Sequence, residues 1–220
     1  CMLLGANQAA QAAPPALHLQ LCAACHGPGG NSVLPDNPKL AGMDTDYLMR
    51  QLADFKSGKR KSPIMGQIVS TLDNDSLRPV AEYYSEQKPE PGAATDAALA
   101  AKGKLIFTDG IVASAVPDCG SCHGIVSRRA PKSTLLPAQH AAYVVRQLAA
   151  FKSGERNNDA KGVMAAVAQR MSEAEIRAVA QYLASLLAQY RGDVALAAAA
   201  YNAGPGAVAK YAGIPPYAET

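Results

Sequence analysis

The chain has 220 residues, 49% hydrophobic but only 5% aromatic and without tryptophan. Two domains of roughly 80 to 100 residues must therefore fill their cores with Ala, Leu, Val and Met, and would gain from a large apolar cofactor. The formal net charge of +3 is spread without a basic run, which leaves no footprint for nucleic acid, and no stretch approaches the roughly 18 consecutive apolar residues of a spanning helix.

The first residues, CMLLGANQAAQAAPP, read as the end of a secretory signal with a small-residue pattern at Ala10-Gln11-Ala12, or as a lipoprotein start with Cys1 acylated; residues 1–13 are assigned to this segment. Either reading exports the protein to the periplasm, soluble or lipid-anchored. Cys22, Cys25 and His26 then form a CxxCH motif, which returns as Cys119, Cys122 and His123. DYLMRQLADFKSGKR at 46–60 returns as AYVVRQLAAFKSGER at 142–156, an offset of 96, and the cysteine motifs are 97 apart. One whole small domain is thus copied once.

Taken in order, the elements of each copy are helical. Tyr47, Leu48, Leu52 and Phe55 recur at helical spacing before a stop at Gly58, and Tyr143, Val144, Leu148 and Phe151 repeat the pattern before Gly154. The closing helix of the second copy opens with a capping box, Ser172 and Glu175. Its counterpart in the first copy carries Pro79, which predicts a late start or a kink. No alternating strand pattern appears. The first domain is placed at 14–88, a Pro/Gly-rich exposed linker at 89–97, the second domain at 98–187 and a tail at 188–220.

Three chemistries compete for the CxxCH motifs. Ribbon-type zinc pairs sit roughly 15 to 20 residues apart, far closer than these, and a redox CxxC is expected within a βαβ pattern that is absent here. Covalent haem attachment accounts for all three residues of each motif: the cysteines anchor the vinyl groups and the histidine ligates the iron. For the sixth ligand the repeat decides. Met43 maps to Gln139, Met49 to Val145 and Met171 to Leu72, whereas Met65 and Met164 map to each other. The expected axial pairs are His26 with Met65 and His123 with Met164. Such iron has no open position, which favours one-electron transfer over oxygen chemistry. The duplicated Tyr47, Gln51, Lys56 and Arg60, with Tyr143, Gln147, Lys152 and Arg156, are candidate partners of the haem propionates. His18 and His140 have no counterparts and read as surface residues.

On CAACHGPGGNS, PKLAG, YLMRQLADFKSGKR and MGQIVSTL in the first copy, and CGSCHG, AQHAAYVVRQLAAFKSGERNND and MAAVAQRMSEAEI in the second, residues 17–187 resemble the cytochrome c4 family of dihaem class I cytochromes c. The resemblance implies an all-α chain of two tandem class I cytochrome c-like domains with two covalent haem c groups, packed face to face. It also implies a carrier, not an enzyme, passing electrons between membrane-bound complexes and typically into a terminal oxidase. The family would set the carbonyl of Pro38 against His26. The matching position in the second copy is Thr134, which puts that contact to His123 in doubt and, with the different loops, makes unequal potentials an expectation.

From about residue 182 the chain resembles the closing segment of a lysozyme-like lytic transglycosylase domain, notably in AYNAGPGAV at 200–208. The family's catalytic glutamate segment does not precede it, so the expectation is a short helical extension with a turn at Gly204-Pro205-Gly206. The alternatives to a carrier are a dihaem peroxidase, or a haem protein held weakly at the membrane or cell wall, with Tyr201 and Asn202 touching the wall.

Overall fold

The computed structural model describes residues 16–123, 136, 138–190, 192–203 and 205–216. Cys1, the leader-like residues and Thr134 lie outside them. Among the described residues every regular element is a helix, apart from two isolated antiparallel bridges.

In the first copy α1 (Ala16–His26) carries CxxCH in its last turns. Next come α2 (Thr45–Lys56), α3 (Pro63–Ser70) and α4 (Asn74–Glu86). Each of these three starts where a side-chain oxygen accepts an otherwise unpaired backbone N–H: Asp44 from Tyr47, Ser62 from Met65 and Asp73 from Ser76. The late start expected of α4 does not occur. Asp73 caps it on time and Leu77, Val80, Ala81 and Tyr84 bury its inner face, which outweighs the one donor that Pro79 lacks. Leu48, Val80, Ala81 and Tyr84 form a small core, with Leu19, Cys22, Leu40 and Met43 packed against it.

The second copy builds the same scheme from α5 (Ala97–Asp109), α6 (Gly120–His123), α7 (Ala141–Ser153), α8 (Val163–Gln169) and α9 (Glu173–Ser185). The capping box of Ser172 and Glu175 opens α9 as expected. Here the first helix stands apart from CxxCH, separated by a turn closed at Ile111 and Val116. Freed from the motif, α5 packs against α9 so closely that a Cβ on Gly103 would lie 1.9 Å from the carbonyl oxygen of Ala178. The resulting core is larger, with Phe107, Val144, Met171, Ile176, Val179 and Leu183 buried together.

The linker lies at the surface but is tied down on both sides. The Asn31 side chain donates to the carbonyl of Lys88 and accepts from the N–H of Glu90, and Gln181 pairs with Thr95 through both atoms of its amide. Beyond α9 a short turn at Leu186–Tyr190 leads into α10 (Val194–Ala203) and α11 (Pro205–Tyr211). Leu187 and Ala197 close over Ala138, while Ala199, Ala200 and Val208 bury one another. The side chains of Tyr201 and Asn202, and Gly204, lie outside the described residues.

The contact at Gly103 makes a discriminating prediction. Gly103→Ala forces two helices apart and should cost about 3 kcal/mol of stability. Gly154→Ala, at a left-handed glycine with nothing within 4 Å, should cost only about 1 kcal/mol; equilibrium denaturation of the second domain measures both.

Candidate functional site

The two CxxCH motifs do not converge into one four-ligand metal site, and among the described residues no three His, Cys, Asp or Glu side chains gather as a metal cluster would need. Nor are Cys22 and Cys119 poised for exchange, which depends on thiolate. Burial raises the pKa of Cys22, and burial beside the Asp118 carboxylate pushes Cys119 up to about 11. What surrounds them is a cradle for a group held from both ends.

At the first site the histidine is set by the loop that follows it. Gly30 adopts φ +75°, and a Cβ there would come within 2.7 Å of the Tyr84 ring and 2.8 Å of the Ala41 nitrogen, so only glycine lets the loop pass beneath α4. The loop then delivers the Pro38 carbonyl, which accepts from His26 Nδ1 at 2.8 Å. Because a carbonyl only accepts, Nδ1 carries the proton and Nε2 keeps its lone pair, the tautomer a metal ligand requires. His26 is 7% exposed, and burial lowers its pKa against the smaller opposing pull of Pro38. Asn37 and Ser32 donate to the Cys25 carbonyl at 2.9 and 3.3 Å and fix the end of the motif. Met65 sits half-buried in the first turn of α3, its N–H held by Ser62 Oγ at 3.2 Å.

At the second site Asp118 caps α6 through the N–H of Ser121 at 2.7 Å. His123 Nε2 faces Met164 Sδ at 3.5 Å, across two helices and 41 residues of chain. An imidazole nitrogen and a thioether sulfur brought tip to tip beside two thiols are the donor set of a His/Met haem iron. The residues present therefore fit the group.

Between the sites lies a seam with approximate two-fold symmetry. Arg60 and Arg156 form an antiparallel bridge. Arg60 donates to Gln51 of its own domain at 2.8 Å and to Tyr143 and Gln147 of the other at 2.7 Å each. Arg156 mirrors this, donating to Gln147 at 2.7 Å and to Gln51 at 3.2 Å, with Tyr47 as its phenol partner. Each guanidinium also lies over a phenylalanine of its own domain, Phe55 at 4.6 Å and Phe151 at 4.4 Å. Burial, and next the neighbouring Arg60, lower the pKa of Arg156. Two adjacent cations held by neutral amides and phenols favour carboxylates close by. Of the eight propionate candidates, six meet in this seam. Lys56 and Lys152 go elsewhere, donating to the carbonyls of Leu72 and Met171 and tying α2 and α7 to the chain behind the methionine helices.

Sequence reasoning missed the second clamp. Gln139, 3% exposed, accepts from the N–H of Lys39 at 2.9 Å and donates to its carbonyl at 3.0 Å, as a strand would. His140 is half-exposed, but not idle: its Nε2 donates to the Ser32 carbonyl at 2.9 Å across the domain boundary. His18 is half-buried, with a buried Nδ1 that has no hydrogen-bond partner. The signal for Gln139 was present, since a polar residue stands where the other copy has Met43.

Compared with known proteins, residues 15–88 match the Cytochrome c family and residues 152–218 the Transglycosylase SLT domain, the latter starting inside α7, upstream of the boundary read from the sequence. The chain is 41% identical to a cytochrome c4 of Thiocapsa roseopersicina, over 76% of this chain and 87% of that one. It is 37% identical to a thiosulfate dehydrogenase electron acceptor of Thiomonas intermedia, over 79% and 81%. The crystal structure of reduced recombinant cytochrome c4 from Pseudomonas stutzeri superposes with a TM-score of 0.72 at 36% identity, covering 79% of this chain and 99% of that one.

The His140 clamp should be pH-sensitive. Burial lowers its pKa from the ordinary 6.5, the Ser32 bond opposes this, and Lys39 lowers it further. A depressed histidine contributes its stability fully above the unfolded pKa and loses it as pH falls below about 6.5. The pH profile of unfolding should therefore slope downward below that point, and the slope should flatten in His140→Gln.

Proposed function

This chain belongs to the cytochrome c4 family of dihaem electron-transfer cytochromes, and from that premise we propose that Cys22 and Cys25, and Cys119 and Cys122, each anchor a haem c, with His26 and Met65, and His123 and Met164, as axial ligands. The observation that carries the reading is the 3.5 Å approach of His123 to Met164, which pairs the two residues singled out by the repeat. When bound, such a haem supplies a one-electron ferric/ferrous couple whose potential is raised by methionine ligation.

The chain does the rest. Pro38 orients His26 and strengthens it as a donor. Met65 and Met164 would each supply a second protein ligand and leave the metal no open position, which favours a carrier over a peroxidase. Arg60 and Arg156, with their tyrosines and glutamines, are the residues that would pair with the propionates of the bound groups. The 14–88 and 98–187 segments are the two carrier domains. The tail buries apolar side chains and takes no part in this chemistry.

The working site of such a carrier is the periplasm, and no helix among the described residues is long and apolar enough to cross a membrane. Its partners are redox proteins engaged transiently. We place a membrane complex on the accepting side, a terminal oxidase being the favoured acceptor. On the donating side, the relative named as a thiosulfate dehydrogenase electron acceptor favours a dehydrogenase as well as a membrane complex.

A spectroelectrochemical titration tests this. Two one-electron steps, both from low-spin haem, are expected. Met65→Ala and Met164→Ala should each abolish about half of the methionine-to-iron charge-transfer band and lower one potential. A high-spin, peroxide-reactive haem in the unsubstituted protein would overturn the carrier reading.

A further inference from the structure

The two methionine helices are capped by different chemistry. In the first domain Ser62, a neutral hydroxyl, accepts from Met65 N–H at 3.2 Å and stands directly before α3. In the second domain the residue before α8, Gly162, makes no side-chain cap. Lys161 and Gly162 turn through the left-handed region instead, at φ +59° and +67°, an uncommon conformation for a lysine. That turn swings Asp159 back over the helix start, where its Oδ2 accepts from Met164 N–H at 2.6 Å and Ala165 N–H at 3.3 Å. Its other oxygen, Oδ1, is buried and has no hydrogen-bond partner. Helix capping alone needs one acceptor; here a second, poorly solvated carboxylate oxygen is kept beside the residue whose sulfur faces His123.

We propose that Asp159 is a positioning residue that fixes Met164 and, through its negative charge, lowers the potential of the second haem below the value a neutral cap would give. Accepting one electron takes iron from ferric to ferrous, with no bond made or broken and no proton moved. A carboxylate beside the axial ligand stabilises the more positive ferric form, and in partly buried surroundings that attraction is weakly screened. The neutral Ser62 gives the first site no such bias. This inference rests on Met164 as ligand, which the Met164→Ala spectrum checks separately: a fully retained methionine band would sink the ligation reading itself.

Asp159→Asn keeps a capping oxygen and removes the charge. The methionine band should persist, the second potential should rise, and the electron's equilibrium between the two haems should shift toward the second domain about tenfold, which for a one-electron couple is about 59 mV. Conversely, Ser62→Asp should lower the first potential alone. The potentials are assigned to domains with the Met65→Ala and Met164→Ala variants. If Asp159→Asn leaves both potentials in place, or moves them equally, the proposal fails. Should that variant not load haem, Ser62→Asp decides: a fall in the first potential supports the charge reading, and no change overturns it.

Discussion

Two guanidinium groups share one buried seam, and most of the architecture follows from what that requires. Arg60 is 7% exposed, and its partner Arg156 lies against it with only amides, phenols and an aromatic face for company. Burying like charges together is costly unless each is fully hydrogen-bonded and an anion is near. The fold supplies the hydrogen bonds by placing Gln51 and Gln147 one helical turn from Tyr47 and Tyr143, so that each domain reaches for the other's arginine. Because α2 and α7 are copies of one helix, one duplicated segment yields a self-complementary seam.

The seam also explains why the two domains can differ elsewhere. In the first, the helix that enters the fold is also the helix that carries CxxCH, so its freedom to pack is limited and its core stays small. In the second, the turn at Ile111 and Val116 separates those duties, and α5 is free to press Gly103 onto α9. A cofactor that spans the domain compensates most where protein packing is thinnest, and the sparse aromatic content of the chain fits that division of labour.

Much of this was readable from residues alone because it depends on local spacing or on duplication. Helical periodicity placed α2 and α7, the capping box placed α9, and comparing the copies paired Met164 with His123. The seam was half readable: duplication marked Arg60 and Arg156 as special without saying that they meet. Lys56 and Lys152 bear the same mark but serve backbone carbonyls, and no sequence pattern separates the two cases. Gln139 and His140 escaped because they act once, between segments about one hundred residues apart in sequence, where no period connects the partners. Pro79 misled because a strong cap and a buried face outweigh one missing donor.

Ala138 joins features that seem unrelated. It adopts φ +66°, its N–H donates to the Leu183 carbonyl, and it lies under Leu187 and Ala197 of the tail, immediately before the Gln139 clamp. Seen mechanically, this corner is a fulcrum: force applied at the C-terminal end can reach the boundary between the haem domains through Ala138 as well as through the linker that Gly192 approaches at Pro91. An appended segment can thus stiffen, or on release soften, the geometry across which an electron must hop.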